Sequence, residues 1–316
     1  MQHLDGASVA AALPYAALVD AIEEAFRDGV TTPLRHHYEI EVPAGSDGAM
    51  LVMPAWRAGR YVVVKMISVL PDNMTRGLAS VLGTVVLIDA TTGQPLATLD
   101  GPEITARRTA AASALAARHL AHPRASHLLM MGAGTLGHHL ARAHATVRPI
   151  DRIDVWNRTA PRAEDLAEIL RREGFEARAV RDPEGAMRTA DVISCATMSP
   201  TPLVAGAALK PGAHVDVVGA FRRDMRETDD DTVRRARIFV DTREGAFAEA
   251  GDILLPIAQG IIAETDILGD LVDLCRGEVR GRIQDTDITM FKSVGTAIED
   301  WAAATLAFET TKSRKP

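Results

Sequence analysis

Three glycines at fixed spacing in the segment His127–Ala143 constrain the fold of this chain more than any other feature. An apolar run, Leu128 to Met131, precedes Gly132-Ala133-Gly134-Thr135-Leu136-Gly137, and helical spacing follows. This order predicts a strand, a tight turn and a helix. In such a motif the first glycine permits the turn, the second lets the backbone approach a pyrophosphate, and the third lets helix and strand pack closely. The helix start attracts phosphates, so the segment predicts a dinucleotide site that includes Thr135 and Leu136. The alternative is a glycine turn that binds no ligand.

The residues after the next predicted strand, Arg152–Trp156, favour NADP(H) over NAD(H). An NAD-selective site carries an Asp or Glu about 20 residues past the glycines, where it binds the ribose 2′-hydroxyl. This chain has Asn157-Arg158-Thr159 there and Arg162 one turn later, so guanidinium, amide and hydroxyl groups are placed to bind a 2′-phosphate. Asp154 lies within the strand, too early to be the ribose acid. The alternative is that Arg158 is only a solvated charge.

Composition excludes several classes of protein. The 316 residues, 47% hydrophobic and 24% charged, are typical of an ordinary globular protein of one large or two medium domains. The net charge of −7 argues against nucleic acid as a partner. No apolar run approaches the roughly 20 residues of a membrane span, and no signal peptide is evident. Two cysteines, Cys195 and Cys275, indicate buried thiols of a reducing compartment, so we expect a cytoplasmic protein.

The pattern of strands and helices changes near residue 120. Before it, a meander of strand-like runs follows an amphipathic helix at Pro14–Asp28 and ends in an alanine-rich helix; the runs are His36–Val42, Ala49–Met53, Tyr61–Val69 and Val81–Asp89, and the helix is Thr105–Ala121. After it, strands alternate with helices, which predicts a parallel sheet. These strands are predicted at 127–132, 152–156, 175–180, 191–196, 213–218 and 237–240, with helices at 134–146 and 160–173.

Ligands bind at the carboxyl ends of such strands. We therefore expect the nicotinamide half of the dinucleotide to pass Thr197-Met198 at one strand end and Val218-Gly219-Ala220 at another, and we add Ser293 to the predicted cofactor contacts. The tail Met290–Thr310 does not continue the alternation. It predicts a strand end, a turn at Ser293 and a helix, which we expect to return to the first domain.

Three cations in the first domain are candidates for binding an anionic substrate: Arg35, Lys65 and Arg108. Lys65 interrupts the apolar run VVVKMISV, and a buried cation is costly unless it is paired. A salt bridge to a core carboxylate is the simpler explanation. Two arginines can hold a carboxylate bidentately, however, and a desolvated lysine can transfer a proton. Adjacent histidines point apart on a strand or helix, so neither His36-His37 nor His138-His139 predicts a metal site.

Taken together, these motifs resemble the ornithine cyclodeaminase/μ-crystallin family over nearly the whole chain. The resemblance is carried by Met53-Pro54, VVVKMISVLPDN around Lys65, SVLGTVVLIDATTG at 80–93, Arg108-Thr109-Ala110-Ala111, the glycine turn at 132–137 and FKSVGTAIEDWAAA at 291–304. It implies an α/β fold with a Rossmann-type doubly wound parallel sheet over 122–288. It also implies a discontinuous α+β domain, residues 1–121 and 289–316, that binds substrate and forms a homodimer.

The resemblance also assigns roles. By position, Arg35, Lys65 and Arg108 correspond to residues that hold the substrate's α-carboxylate. Cyclodeaminases of the family carry a Glu two residues before Met-Pro and an Asp after Gly-Gly or Gly-Ala; here these positions are Leu51 and Phe221. Neither can bind an ammonium or accept a proton.

The chain is therefore more similar to the ketimine reductase branch. We expect NADPH-dependent reduction of Δ1-pyrroline-2-carboxylate to L-proline and of Δ1-piperideine-2-carboxylate to L-pipecolate, with NADH accepted more weakly. Leu51, Met53 and Phe221 would form an apolar wall for the ring methylenes, and Lys65 would hold the carboxylate or protonate the imine nitrogen. Three alternatives stay open: ornithine cyclodeaminase, an open-chain amino-acid dehydrogenase or imine reductase, and a non-enzymatic binder.

Overall fold

A computed structural model describes residues 1–43 and 45–313 of the chain. It divides into two compact units, which we call the substrate unit (Met1–Arg108 with Thr296–Pro316) and the Rossmann unit (Thr109–Gly295). The strands in the described residues are β1 (Gln2–Leu4), β2 (His36–Ile40), β3 (Gly48–Trp56), β4 (Tyr61–Val69), β5 (Val81–Asp89), β6 (Pro95–Asp100), β7 (His127–Met131), β8 (Arg152–Trp156), β9 (Glu176–Ala179), β10 (Val192–Cys195), β11 (His214–Val217), β12 (Ala236–Val240), β13 (Ile267–Asp270) and β14 (Ile288–Lys292).

The α-helices of the same residues connect and cover these strands. They are α1 (Gly6–Ala12), α2 (Tyr15–Asp28), α3 (Gly101–Leu120), α4 (Thr135–Val147), α5 (Ala160–Arg172), α6 (Pro183–Met187), α7 (Asp230–Arg235), α8 (Arg243–Glu249), α9 (Gly251–Ala258), α10 (Leu271–Arg276) and α11 (Ala297–Ser313). None of the helices in the described part of the chain combines the length and the apolar character that crossing a bilayer requires.

The substrate unit is built on one six-stranded sheet in the order β1-β6-β5-β4-β3-β2. All neighbours are antiparallel except β1 and β6. Side chains alternate along each strand: Val63, Lys65 and Ile67 of β4 are buried, whereas Met66 between them is exposed. The buried face is covered by α11, which packs against β3, β4, β5 and α2. This alternation is typical of an antiparallel sheet that is covered on one side only.

The Rossmann unit contains an eight-stranded sheet in the order β13-β12-β14-β11-β10-β7-β8-β9, and every neighbouring pair is parallel. Every residue of β7, β10, β11 and β14 is buried. Continuous burial is expected where crossover helices cover both faces of a parallel sheet. The predicted fold class, a Rossmann-type parallel sheet with a discontinuous α+β domain, is confirmed.

The structure corrects details of the predicted organisation. The predicted boundary at residue 289 falls inside β14, which pairs with β11 and β12 in the centre of the Rossmann sheet. Residues 289–295 therefore belong to the Rossmann unit, as do residues 109–121, most of which lie in α3. A run of only five residues carries no periodic signal, which is why it was interpreted as a strand end. The last three residues of the predicted C-terminal segment, 314–316, lie outside the described part of the chain.

Candidate active site

Lys65 is fully enclosed in the substrate unit, although it is a charged residue in a hydrophobic strand. It lies in the middle of β4, on the face that α11 covers, and only 1% of it is exposed. Its Nζ donates a hydrogen bond to Asp300 Oδ1 over 2.7 Å. Asp300 is itself fully buried near the start of α11. The carboxylate thus compensates a cation that would otherwise be costly to bury.

A second cation, Arg108 of α3, joins the same cluster. Arg108 Nε lies 3.0 Å from Asp300 Oδ1, the oxygen that also accepts from Lys65. Its Nη1 donates to Glu299 Oε2 over 2.5 Å. Glu299 and Asp300 are adjacent in α11, and both are buried. We call Lys65, Arg108, Glu299 and Asp300 the charge cluster.

The charge cluster changes the pKa of Lys65. Burial, together with the positive charge of Arg108, lowers the pKa of Lys65 to about 8, while the Asp300 carboxylate opposes this shift. The charge of Arg35 also lowers this pKa, so Arg35 lies within electrostatic range of the amine. The lysine is therefore a stronger acid than an ordinary lysine, and near neutral pH it exchanges a proton more readily.

The apolar neighbour of Lys65 is Met53. The two residues are paired in register across β3 and β4, so their side chains share the covered face of the sheet. Leu51, which is paired with Ile67, lies one step further along the same face and is partly exposed. The substrate unit therefore brings together Met53, Lys65 and Arg108 of the predicted substrate residues. Of the other two, Arg35 lies within electrostatic range of Lys65. Phe221 follows β11 in the Rossmann unit and is 44% exposed.

Glu299 and Asp300 were not predicted from the sequence as site residues. The signal was nevertheless present, because two adjacent acids interrupt the otherwise apolar stretch AIEDWAAA. A lysine that is predicted to be buried requires a buried anion, and this pair is an obvious candidate. The salt bridge that we considered the simpler explanation for Lys65 does exist. It is part of a cluster with two cations, so it does not exclude a role in substrate binding.

In the Rossmann unit, the glycine turn has the geometry that a dinucleotide requires. Gly132 has φ +109°, which favours glycine, and a Cβ on Gly137 would lie 2.3 Å from the Gly132 carbonyl oxygen. A Cβ on Gly134 would meet nothing within 4 Å, so this backbone is open to an approaching group. Gly134 caps α4 without a side-chain hydrogen bond, which leaves the first N–H groups of a 13-residue helix for a phosphate. These residues fit a dinucleotide pyrophosphate.

The residues predicted to select NADP(H) follow β8. Arg158, Thr159 and Arg162 are exposed there, whereas Asn157 is committed to the backbone. Its Oδ1 accepts from Ala133 N over 3.1 Å, and its Nδ2 donates to Thr159 O over 3.0 Å. Asn157 therefore links the glycine turn to this loop.

The carboxylate of Asp154, within β8, is bound inside the protein and is not free to act in this loop. It is fully buried and accepts hydrogen bonds from Arg178 at 2.7 and 3.2 Å. Two arginines are thus exposed where the ribose is predicted to bind, Arg158 in the loop after β8 and Arg162 in the first turn of α5.

The predicted nicotinamide residues lie at the carboxyl ends of three neighbouring strands, β10, β11 and β14. Met198 is 73% exposed, and Val218 is buried. The polar groups of Thr197, Gly219 and Ser293 are bound to buried acids: the first two donate to Glu227, and Ser293 Oγ donates to Asp241 over 3.0 Å. These three residues therefore shape a surface, while their N–H and O–H groups are used within the protein. Sequence reasoning did not identify Glu227 or Asp241.

Comparison with known proteins agrees with this architecture. The family model described as "Ornithine cyclodeaminase/mu-crystallin family" matches residues 4–315. The chain belongs to this family. Among curated relatives, a Δ1-pyrroline-2-carboxylate reductase of Paracoccus denitrificans is 42% identical over 281 residues, which cover 88% of each chain.

The fold of this chain is also similar to those of solved structures. The structure of Thermococcus litoralis Δ1-pyrroline-2-carboxylate reductase in complex with NADH and L-proline matches with a TM-score of 0.93 and 34% identity, covering 99% of this chain and 98% of that one. An archaeal alanine dehydrogenase dimer with bound NAD matches with a TM-score of 0.92 and 29% identity, covering 99% of this chain and 97% of the other. Solved structures with this fold thus include enzymes of more than one specificity.

Proposed function

We propose that this protein is a ketimine reductase that uses a reduced nicotinamide dinucleotide to reduce the C=N bond of cyclic imino acids. Its substrates are Δ1-pyrroline-2-carboxylate, which gives L-proline, and Δ1-piperideine-2-carboxylate, which gives L-pipecolate. The observation that carries the proposal is the charge cluster, in which a buried lysine with a pKa of about 8 lies beside a buried arginine. The relatives named as Δ1-pyrroline-2-carboxylate reductases support the substrate class.

The absence of two acids separates this reaction from deamination of ornithine. Leu51 and Phe221 stand where the resemblance places the carboxylates of cyclodeaminases. An apolar residue at either position cannot hold the side-chain ammonium of ornithine, but it can contact ring methylenes. One methylene in such a pocket changes binding by only about 1–3 kcal/mol, so both ring sizes are expected to react.

The proposed mechanism assigns one task to each group. Arg35 and Arg108 hold the substrate carboxylate bidentately and thereby fix C2 in space. Positioning of this kind lowers a barrier by up to about 7–11 kcal/mol in favourable cases. A bound reduced nicotinamide supplies the hydride that C2 receives. Lys65 donates a proton to the imine nitrogen and becomes a neutral amine, which Asp300 then holds in place until solvent restores the proton.

The cofactor preference is a finer part of the proposal. Arg158, Thr159 and Arg162, all exposed after β8, support NADPH as the preferred reductant, with NADH accepted more weakly. The two solved relatives hold NADH or NAD. The proposed preference for the 2′-phosphate therefore rests on the exposed arginines of this chain alone.

The outer face of the substrate sheet supports a homodimer. Tyr38, Met50, Trp56, Met66 and Leu82 share the face opposite Lys65, and each is more than a third exposed. An apolar surface of this kind is typical of an interface, and a second copy of the chain offers a matching one. The archaeal relative described as a dimer supports this assembly. Cys195 is buried as predicted, whereas Cys275 is only half-buried; neither forms a disulfide, which supports the cytoplasmic location predicted from the sequence.

The test is to follow oxidation of NADPH, and of NADH in parallel, with each of the two cyclic imines. Rapid turnover with NADPH is the expected result. No turnover, combined with release of ammonia from ornithine in the presence of NAD, would assign the protein to the cyclodeaminases instead. Inactivity in both assays would refute both functions and favour an open-chain imine substrate or a binding role.

A further inference from the structure

One buried carboxylate in the Rossmann unit, that of Glu227, joins the ends of two strands. Its Oε1 accepts hydrogen bonds from Thr197 N over 2.7 Å, from Thr197 Oγ1 over 2.6 Å and from Cys195 Sγ over 3.2 Å. Its Oε2 accepts from Gly219 N over 2.8 Å and from Ala220 N over 3.0 Å. Residues 195–197 end β10, and residues 219–220 follow β11. Five donors from two neighbouring strand ends therefore converge on one side chain.

The ion pair behind Glu227 fixes the carboxylate in turn. The backbone N–H of Glu227 donates to Asp252 Oδ1 over 2.8 Å. Lys292, at the end of β14, lies 3.1 Å from Asp252 Oδ2 and donates to the Ala220 carbonyl over 2.6 Å. Glu227, Asp252 and Lys292 are all fully buried. Charges that are buried without good partners are strongly destabilising, so this network tolerates little change in geometry.

Close packing shows that the two strand ends act as one surface. A Cβ on Gly219 would lie 1.9 Å from the Thr197 carbonyl oxygen and 2.6 Å from Glu227 Oε1. No larger residue fits there without a shift of the backbone. The segments at 197–198 and 218–220 are also those at which the sequence predicts the nicotinamide half of the cofactor, because ligands bind at the carboxyl ends of parallel strands.

We propose that Glu227 is a positioning residue that fixes the backbone of Thr197, Gly219 and Ala220 as the surface on which the nicotinamide half of the dinucleotide lies. Glu227 itself is buried beneath this surface, so it acts through these residues and not by touching the cofactor. The adenine half depends on the glycine turn and on the loop after β8, and the hydrogen bonds to the Glu227 carboxylate in the described part of the chain come from neither of these segments. This inference rests on the proposed function in one respect, namely that the chain binds a nicotinamide dinucleotide.

The variant Glu227→Gln tests this separation. A glutamine amide has one acceptor oxygen where the carboxylate has two. Its NH₂ group would therefore face donors, either those of Thr197 or the N–H groups of Gly219 and Ala220, and could not accept hydrogen bonds from them. Direct binding to the full chain is measured for NADPH and for 2′-phospho-ADP-ribose, which lacks the nicotinamide, and likewise for NADH and ADP-ribose. We expect the affinity for the whole dinucleotide to fall about tenfold or more, the effect of one lost charge-assisted hydrogen bond. The affinity for the fragment should change less than about twofold, a difference within ordinary surface effects.

Asp216→Asn is the matched control. Asp216 is a fully buried carboxylate of β11, but its partners are the side chains of Ser194 and His144, not a strand-end backbone. Asp216→Asn should leave the ratio of the affinity for the whole dinucleotide to the affinity for the fragment unchanged, even if the substitution lowers stability. Should Glu227→Gln fail to fold, Glu227→Asp keeps the charge and withdraws it from the donors, with the same expected direction. Equal losses for dinucleotide and fragment, or no loss, would overturn the inference. A wild-type chain that binds neither ligand would overturn the proposed function as well.

Discussion

Replacing Asp300 with asparagine should move the pH dependence of the reaction in a direction that the charge cluster determines. Lys65 has a pKa of about 8 because burial and Arg108 lower it while Asp300 opposes them. If protonated Lys65 is the active form, activity is present below this pKa and is lost as pH rises through it. In the wild type, kcat/KM should therefore decline above about pH 8, since this parameter reports groups of the free enzyme.

The size of the shift follows from the contact distance. For unit charges 2.7 Å apart, the separation of Lys65 Nζ and Asp300 Oδ1, Coulomb's law with an effective dielectric constant of about 20 gives roughly 6 kcal/mol. At about 1.4 kcal/mol per pKa unit, the upper limit is about four units. Arg108 Nε lies 3.0 Å from the same oxygen, so part of the negative charge of Asp300 is already compensated. The effect of Asp300 on the pKa of Lys65 is therefore smaller than this limit. We expect a downward shift of at least about one unit, which moves the decline of kcat/KM below pH 7.

The assay is the initial rate of cyclic imine reduction across pH for the wild type, Asp300→Asn and Glu299→Gln. Glu299 binds Arg108, whereas the carboxylate that accepts a hydrogen bond from Lys65 is that of Asp300, so the Glu299 variant should raise KM and leave the decline near pH 8. Titration of the substrate is common to all three proteins and cancels in the comparison. An unmoved decline in Asp300→Asn, or an equal displacement in Glu299→Gln, would refute the role of Lys65 as the titrating acid.

Three further predictions follow from the two units. Lys65→Met should lower kcat by a factor on the order of 10²–10⁴ if the amine is the proton donor; a rise in KM at unchanged kcat would leave it only a carboxylate ligand. Arg158→Ala should lower kcat/KM for NADPH by about tenfold and leave the value for NADH unchanged, and equal losses for both would contradict selection by this side chain. Met66→Glu, with Met66→Leu as control, should convert the proposed homodimer into a monomer in light scattering, because it would bury a charge in an apolar interface. A dimer that persists would place the interface elsewhere.

The sequence predicted well those elements whose side chains follow a regular period. The strand predicted at Val81–Asp89 has these bounds in the structure, and the apolar run, glycine turn and helical spacing predicted β7 and α4 to within a residue. By contrast, β6 was missed because Pro95–Asp100 combines a proline with a short run of mixed character. The central strand β14 was interpreted as a strand end, since its burial depends on partners that are distant in sequence.

The candidate site shows the same limit. Lys65 was predicted as a site residue because a cation in an apolar run demands an explanation, and Arg35 and Arg108 because they are further cations in the same domain. The counterions of Lys65 and Arg108 are Asp300 and Glu299, about two hundred residues further along the chain. Only the packing of α11 on the substrate sheet brings Asp300 to Lys65. Glu227 offered no signal at all, because its neighbours in sequence are polar and its role depends on the ends of two strands.

The position of α11 after the Rossmann unit in the sequence has a consequence for how the substrate unit is made. All six of its strands lie before residue 101, yet the helix that covers them, Ala297–Ser313, is synthesised only after the whole Rossmann unit. Until then Lys65 has no Asp300 to neutralise it, and an unpaired lysine disfavours a closed core. The strands of the substrate unit therefore stay uncovered during translation of the Rossmann unit, and exposed apolar surface of this kind is what chaperones bind. A chain that terminates before α11 would contain every strand of the substrate unit and still lack the helix that completes its core, so folding of this unit requires translation of everything between its two parts.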